Sequence, residues 1–482
     1  MRRPAIVLFV LLNVTKLIAN PTQDENQKPG TSEWVLAHPA PGREIEGYAS
    51  ATSVNNGESI RLFVSTMDPA FTIEIFRMGW YGGTGGRRVT NAVQRTGHEQ
   101  AIPSPDPSTG LIECNWTDPY EVTIPDDWVS GVYLAKLTGT SSTYQRHIMF
   151  VVRNDARKSD LLFQSSVTTM QGYNNWGGKS LYAFNSTGPQ ASKVSFDRPY
   201  ADATGSNEFL FRYEYLAVRF LEREGYDVTY TTNIDTHARG DLIRGHKAFL
   251  SVGHDEYWSW QMRQNVEGAR NAGVNIAFLG GNTCYWQIRL DNDLQGQPNR
   301  TIVAYKESAL SSDPILSDGD PTNDYLATTL WRSSPVDRPE EQFVGVMTSI
   351  VGVQGDTVIE NASHWVFSGT GLNPGDRLTG LEGHEVDRMF SAYPPNTVRL
   401  AHSPVAGSSG NRDFGDMTIY QAGSGAYVFA VGTMQWSWGL DNFADRSHGA
   451  FVSAAAQQIT RNVLNRFLYG EPRAKRRSVA RH

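Results

Sequence analysis

Ser251-Val252-Gly253-His254-Asp255-Glu256-Tyr257-Trp258-Ser259 follows the apolar run Ala248-Phe249-Leu250 and precedes a segment, 261–272, with helical spacing. A second apolar run at 274–279 ends in Gly280-Gly281-Asn282. Apolar run, tight turn, helical segment and apolar run, in that order, read as a βαβ unit. In open α/β sheets, reactive residues collect at the carboxyl ends of strands. One such end here carries His254, Asp255 and Glu256, and the next carries Asn282. An imidazole, two carboxylates and an amide at one rim point to a site rather than a core.

The same alternation extends outward. An apolar run at 161–164, an amphipathic segment at 209–224 closed by Gly225, and a run at 226–231 precede the unit. A run at 427–433 and a helical segment at 450–468 follow it. Together they predict a doubly wound α/β domain over 155–470. Residues 307–404 are richer in Pro, Asp and Gly and are expected to form a β-rich insertion. Upstream, Ser59-Ile60-Arg61-Leu62-Phe63-Val64 and Thr72-Ile73-Glu74-Ile75-Phe76-Arg77 alternate apolar and polar side chains. With similar runs at 131–137 and 147–152, they predict an immunoglobulin-like β-sandwich over 44–154. The glycine-dense loop at 79–87 lacks the Lys-Ser/Thr pair of a phosphate cradle and reads as aromatic docking onto the next domain.

A chain of 482 residues has room for about two to three domains. The 45 glycines and 20 tyrosines favour β-rich structure with many turns. A net charge of −7 argues against general nucleic-acid binding. Arg2 and Arg3, an apolar stretch from Ala5 and small Ala19 have the layout of a signal peptide over 1–19, too short for a membrane span. That predicts a secreted or periplasmic protein, with a polar linker at 20–43 and a basic tail at 471–482. Cys114 and Cys284 are too few for a disulfide framework or a zinc cage. One bridge between them and two buried thiols are both open. Sequons stand at Asn115, Asn185, Asn299 and Asn361.

The turn at 253–256 holds no Ser or Cys, which disfavours a nucleophile-dependent hydrolase there. His254 and Glu256 are candidates for metal binding, against a plainer reading in which Asp255 caps the following helix and Glu256 favours its first turn. The phenol- and amide-rich segments Gln171–Tyr182 and Gly383-His384-Glu385-Val386-Asp387-Arg388 add polar groups near other expected strand ends.

Phe76-Arg77-Met78-Gly79-Trp80-Tyr81-Gly82-Gly83, Tyr173-Asn174-Asn175-Trp176-Gly177-Gly178, the 253–259 turn, Gly280-Gly281-Asn282 and Glu385-Val386-Asp387-Arg388 occur in one order. In this the chain resembles the catalytic region of the N,N-dimethylformamidase large (beta) subunit family. The resemblance implies a sandwich followed by a glutamine-amidotransferase-like α/β domain and a mononuclear Fe(3+) held by two tyrosines and one glutamate. It matches Glu256 to the carboxylate ligand and Tyr173 to one phenolate. Tyr133 is matched to the second by approximate spacing, with Tyr182 as the fallback. His254 and Asn282 match the surrounding shell, and Glu385 the remaining site carboxylate, with Glu382 beside it. The implied activity is hydrolysis of small linear amides, and the implied partner is a small second subunit. The alternative is a non-catalytic secreted binding protein, for carbohydrate or another extracellular ligand, that uses aromatic loops. Metal content and an enclosed site at His254 separate the two.

Overall fold

A computed structural model describes residues 20–443 and 451–471. The expected signal segment and the Arg/Lys cluster of the tail lie outside the described residues. The chain is a mixed α/β protein built around one nine-stranded sheet. From one edge its strands are Val228–Thr232, Leu161–Ser165, Ala248–His254, Asn275–Gly281, Tyr427–Ala430, Arg412–Gln421, Val398–Gly407, Met347–Val358 and Arg377–Arg388. The first five run parallel. Every residue of Leu161–Ser165 and Ala248–His254 is buried, as expected of strands covered on both faces.

Leu161–Ser165 is first of the five in the chain but second in the sheet. The chain leaves it toward one edge, then crosses back to Ala248–His254 on its other side. The carboxyl ends of these two neighbours therefore flank a topological switch point, where connections diverge and leave a crevice.

The remaining four strands pair antiparallel, and two of them, with the first part of a third, fall within the expected insertion. The strands of residues 347–404 thus continue the central sheet. Their Pro, Asp and Gly residues mark the turns between long strands. Tertiary pairing, which composition does not report, decides where those strands go.

The helix Trp260–Asn271 begins one turn later than a direct strand-to-helix junction requires. A short strand, Tyr257–Ser259, pairs in parallel with Trp286–Asp291, and Ser259 caps the helix by accepting from the Met262 N–H at 3.1 Å. Asp255 is not the cap.

Upstream, the three-stranded sheet Ile45–Ala49, Ser59–Thr66, Tyr120–Thr123 and a six-stranded sheet share one apolar core. Ile60, Leu62, Ile73, Ile75, Leu137 and Ile148 meet in it, each worth roughly 1.5–3 kcal/mol on leaving water. The 20–43 segment is packed, not a free linker. Its helix Pro21–Asn26 hydrogen-bonds across the molecule, Thr22 Oγ1 to Val228 O at 2.9 Å and Asn26 Nδ2 to Glu222 Oε2 at 2.7 Å. The glycine-dense loop docks as expected: buried Tyr81 donates to Glu25 Oε1 at 2.8 Å, and Arg219 lies over the Trp80 ring at 4.8 Å. Cys114 and Cys284 are both buried and free.

Candidate active site

The crevice at the switch point fills with side chains from four chain segments. After Leu161–Ser165 comes the helix Val167–Tyr173, buried through residue 172, which delivers half-buried Tyr173 at its end. The chain then doubles back through Gly177 and Gly178, both at positive φ, and lays Tyr182 against Tyr173 with ring centroids 4.3 Å apart. The Tyr182 hydroxyl donates to both carboxylate oxygens of Glu256, at 2.8 and 2.9 Å. The Tyr173 hydroxyl stands 3.3 Å from His254 Nε2.

His254 and Glu256 leave the end of Ala248–His254 on a turn that is pinned from behind. Asp255 faces away from them and accepts from Gln164 Nε2 at 2.7 Å, Ser251 Oγ at 2.8 Å and Asn233 Nδ2 at 2.9 Å. The Glu256 N–H donates to Thr169 Oγ1 at 2.9 Å.

The next strand ends in Gly281. A Cβ there would lie 2.7 Å from the Glu385 carbonyl oxygen, so the glycine lets Arg377–Arg388 pass across the strand end. That close approach brings Glu385 and Asp387 to Asn282. Asn282 Nδ2 donates to Glu385 Oε2 at 2.5 Å, its N–H donates to Asp387 Oδ1 at 2.8 Å, and its Oδ1 accepts from Thr348 Oγ1 at 2.6 Å.

His254 Nε2 lies 3.3 Å from Glu256 Oε2 and 3.8 Å from Glu385 Oε2. Burial alone would lower its basicity, but the two glutamates overcome that and raise it to about 9. Burial lifts Glu385 to about 6, with the Glu256 charge adding and His254 opposing. Burial and then the Glu256 charge push both phenols well above the ordinary range. Buried Lys306 adds a second positive charge, with Nζ 3.4 Å from the Tyr182 ring centre and donating to Leu181 O at 3.0 Å.

Five expected residues, Tyr173, His254, Glu256, Asn282 and Glu385, are therefore brought together. Tyr133 is not among them. It is fully buried in the sandwich core, stacked on Trp128 at 5.0 Å, and its hydroxyl donates to Val129 O at 2.7 Å. Tyr182, the fallback, takes the place beside Glu256. Glu382 points elsewhere and accepts from Thr357 Oγ1 at 2.9 Å. Asp387 stands two residues beyond Glu385 on the same strand, so period-two alternation is the signal that finds it. For Lys306 the sequence carries none.

The groups converging here are two phenol oxygens and one carboxylate, an all-oxygen set that suits a hard trivalent cation. A bound cation would reverse the field that now keeps the phenols protonated. Among the described residues no group of three or more His, Cys, Asp and Glu has metal-binding geometry, so any metal here depends on the tyrosines. Burial raises the Cys284 thiol far above its ordinary value, which removes it as a nucleophile. None of the twelve tryptophans is exposed; Trp80, Trp260 and Trp365 are half-buried and the rest buried.

Comparison with known proteins bears on this geometry. The N,N-dimethylformamidase beta subunit of Paracoccus aminophilus is 22% identical over 440 residues, covering 75% of this chain and 55% of that protein. The N,N-dimethylformamidase beta subunit of an Alcaligenes species is 23% identical over 295 residues, covering 53% of this chain and 36% of that one. The chain thus spans about half the length, or less, of these curated relatives. A family 123 glycoside hydrolase from Clostridium perfringens aligns over 56% of this chain and 53% of its own, at 8% identity and a TM-score of 0.11, too low to bear on the fold. The family model described as N,N-dimethylformamidase beta subunit-like, C-terminal, matches residues 72–449, and the chain belongs to that family.

Proposed function

We propose that this chain hydrolyses the C–N bond of small linear amides, with a ferric ion held by Tyr173, Tyr182 and Glu256. The observation that carries the reading is the contact chain Tyr182–Glu256–His254–Glu385–Asn282. With Tyr173 against His254, it sets two phenols and one carboxylate beside a second carboxylate, Glu385, able to serve as the base. Lewis-acid polarisation of the amide carbonyl and of water is the chemistry such an ion supplies when bound.

The remaining steps belong to the side chains. Glu385, held near neutrality by burial, accepts a proton from the attacking water as its oxygen bonds to the carbonyl carbon. The Asn282 amide fixes that carboxylate through its 2.5 Å hydrogen bond. His254, cationic between two glutamates, steadies the developing oxyanion. As the C–N bond breaks, Glu385 returns the proton to the departing nitrogen. The products are a carboxylic acid and an amine. Tyr173, Tyr182 and Phe209, with exposed Phe184 outside them, flank the approach and hold water back.

In this reading the upstream sheets are an immunoglobulin-like sandwich and the central sheet is amidotransferase-like. The match to relatives named as beta subunits supports a small partner subunit, and the Arg2–Ala19 pattern supports export. The test is a panel of formamides and acetamides assayed before and after iron removal and reloading. Turnover that is lost on chelation, restored by ferric iron and abolished in Glu385→Gln supports the proposal. Turnover indifferent to metal, or undiminished in Glu385→Gln, overturns it.

A further inference from the structure

One corner of the site holds polar groups with no hydrogen-bond partner among the described residues. Gln435 is fully buried, and neither its Oε1 nor its Nε2 has a hydrogen-bond partner among the described residues. A Cβ on Gly383 would lie 3.1 Å from both atoms, so this amide sits beside the backbone two residues before Glu385. Buried amides are rarely left this way unless water or a ligand completes them.

Arg212 is close enough to His384, the residue after Gly383, for its charge to act on that imidazole. No Asp or Glu among the described residues pairs with it, its buried Nε has no partner, and its guanidinium lies 5.5 Å from the Tyr213 ring centre. It rides on a single π-helical turn, Leu210–Glu214, entered through Asn207 and Glu208 at φ 52° and 65°. Such turns and such backbone strain concentrate at functional sites. Phe209, just before the turn, packs on Tyr173 at 5.1 Å and on His254 at 5.6 Å. The Trp438 indole donates to Arg212 O at 2.8 Å, tying this turn to the one that follows Gln435. Exposed His384 follows Gly383 on the strand beside Gln435. Partial burial, then the positive charges of Arg212 and His254, hold its imidazole below the ordinary value, so all three share one field.

We infer that this corner binds a carboxylate carried by the substrate, with Arg212 as the ion-pair partner and Gln435 as a hydrogen-bond donor. The preferred amide is then one with an anionic group near the scissile bond, of the N-acyl amino acid class. The planar guanidinium fork matches a carboxylate in geometry as well as charge. A neutral amide would leave both groups unpaired and bind less tightly, because a site built around polar pairing disfavours ligands that lack the partner. The word amide rests on the proposed function, whereas carboxylate binding does not.

The test is calorimetric binding of N-acetylglycine against its neutral counterpart N-acetylglycinamide. Wild type should prefer the carboxylate by about 30-fold, the size expected for hydrogen bonds to a charged group. Arg212→Gln should collapse that preference, and Arg212→Lys should restore part of it, with circular dichroism checking the fold. Equal affinity for the two compounds, no binding of N-acetylglycine at millimolar concentration, or a preference untouched in Arg212→Gln overturns the inference. Turnover of the same pair separates it from the functional reading. Preference in binding without hydrolysis of either compound sinks only the hydrolase. Hydrolysis without preference sinks only the carboxylate corner.

Discussion

Two of the buried charge clusters among the described residues are built differently. Between the sandwich and the central sheet, Arg77 and Glu222 pair at 2.7 Å with no exposure of either side chain. Arg77 spends its remaining donors on Val129 O, Met78 O, Tyr81 Oη and Ser130 O, while Glu222 also accepts from Tyr230 and Asn26. Every strong donor and acceptor there has a permanent partner. At the switch point, Glu256, Glu385 and Asp387 outnumber His254 and Lys306, and the phenols sit against carboxylates that oppose their ionisation. A closed network fixes architecture. An unbalanced one is what the proposed ferric site requires, since a cation there would offset the surplus negative charge.

The sharpest break of the contrast is Arg77→Met, which strands the Glu222 carboxylate in the interface. It should destabilise the fold by about 3–5 kcal/mol, read by urea unfolding, because a buried charge loses its one ionic partner among the described residues. Glu385→Gln is the mirror experiment. The unfolding midpoint should move little, since a like charge is removed from Glu256, while turnover falls about 10²–10⁴-fold. A large stability loss in that variant would make the site cluster architectural after all.

A third effect separates the regions by pH. Burial holds the His147 imidazole, with its Nε2 2.8 Å from Trp34 O, down to about 4 against an ordinary 6.5. Between pH 6.5 and 4 the unfolded chain binds the proton and the folded chain resists it. Stability is therefore full above 6.5 and falls as pH drops through that window, by about 3 kcal/mol from this residue. His147→Gln should flatten that part of the stability-against-pH curve, and an unchanged slope would refute the assignment. The smallest effect is Tyr133→Phe, which removes one hydrogen bond to Val129 O and should cost about 1 kcal/mol without touching metal content.

The parts of this design that were legible in the sequence are local. Gly253, Gly280 and Gly281 between apolar runs announce the strand ends, because only glycine tolerates the close crossings there. A Cβ at Gly253 would meet Tyr213 Cβ at 2.4 Å. Illegible parts depend on distant partners. Residues 20–43 look like a linker by composition, yet Thr22 and Asn26 bond to residues some two hundred positions away. Tyr133 and Tyr182 are alike as residues. One lies on a sandwich strand facing Trp128, and the other on a loop that folds over Glu256, a difference set by tertiary packing. Lys306 reaches the Tyr182 ring from more than a hundred residues beyond it, with no local pattern to announce it.

The visible spectrum and iron content of the purified protein, compared between Tyr182→Phe and Tyr133→Phe, test the central claim most directly. About one ferric ion per chain is predicted, with a phenolate-to-iron absorption band that Tyr182→Phe removes or shifts and Tyr133→Phe leaves intact. Absence of iron after reconstitution, or a band insensitive to Tyr182, would contradict the account.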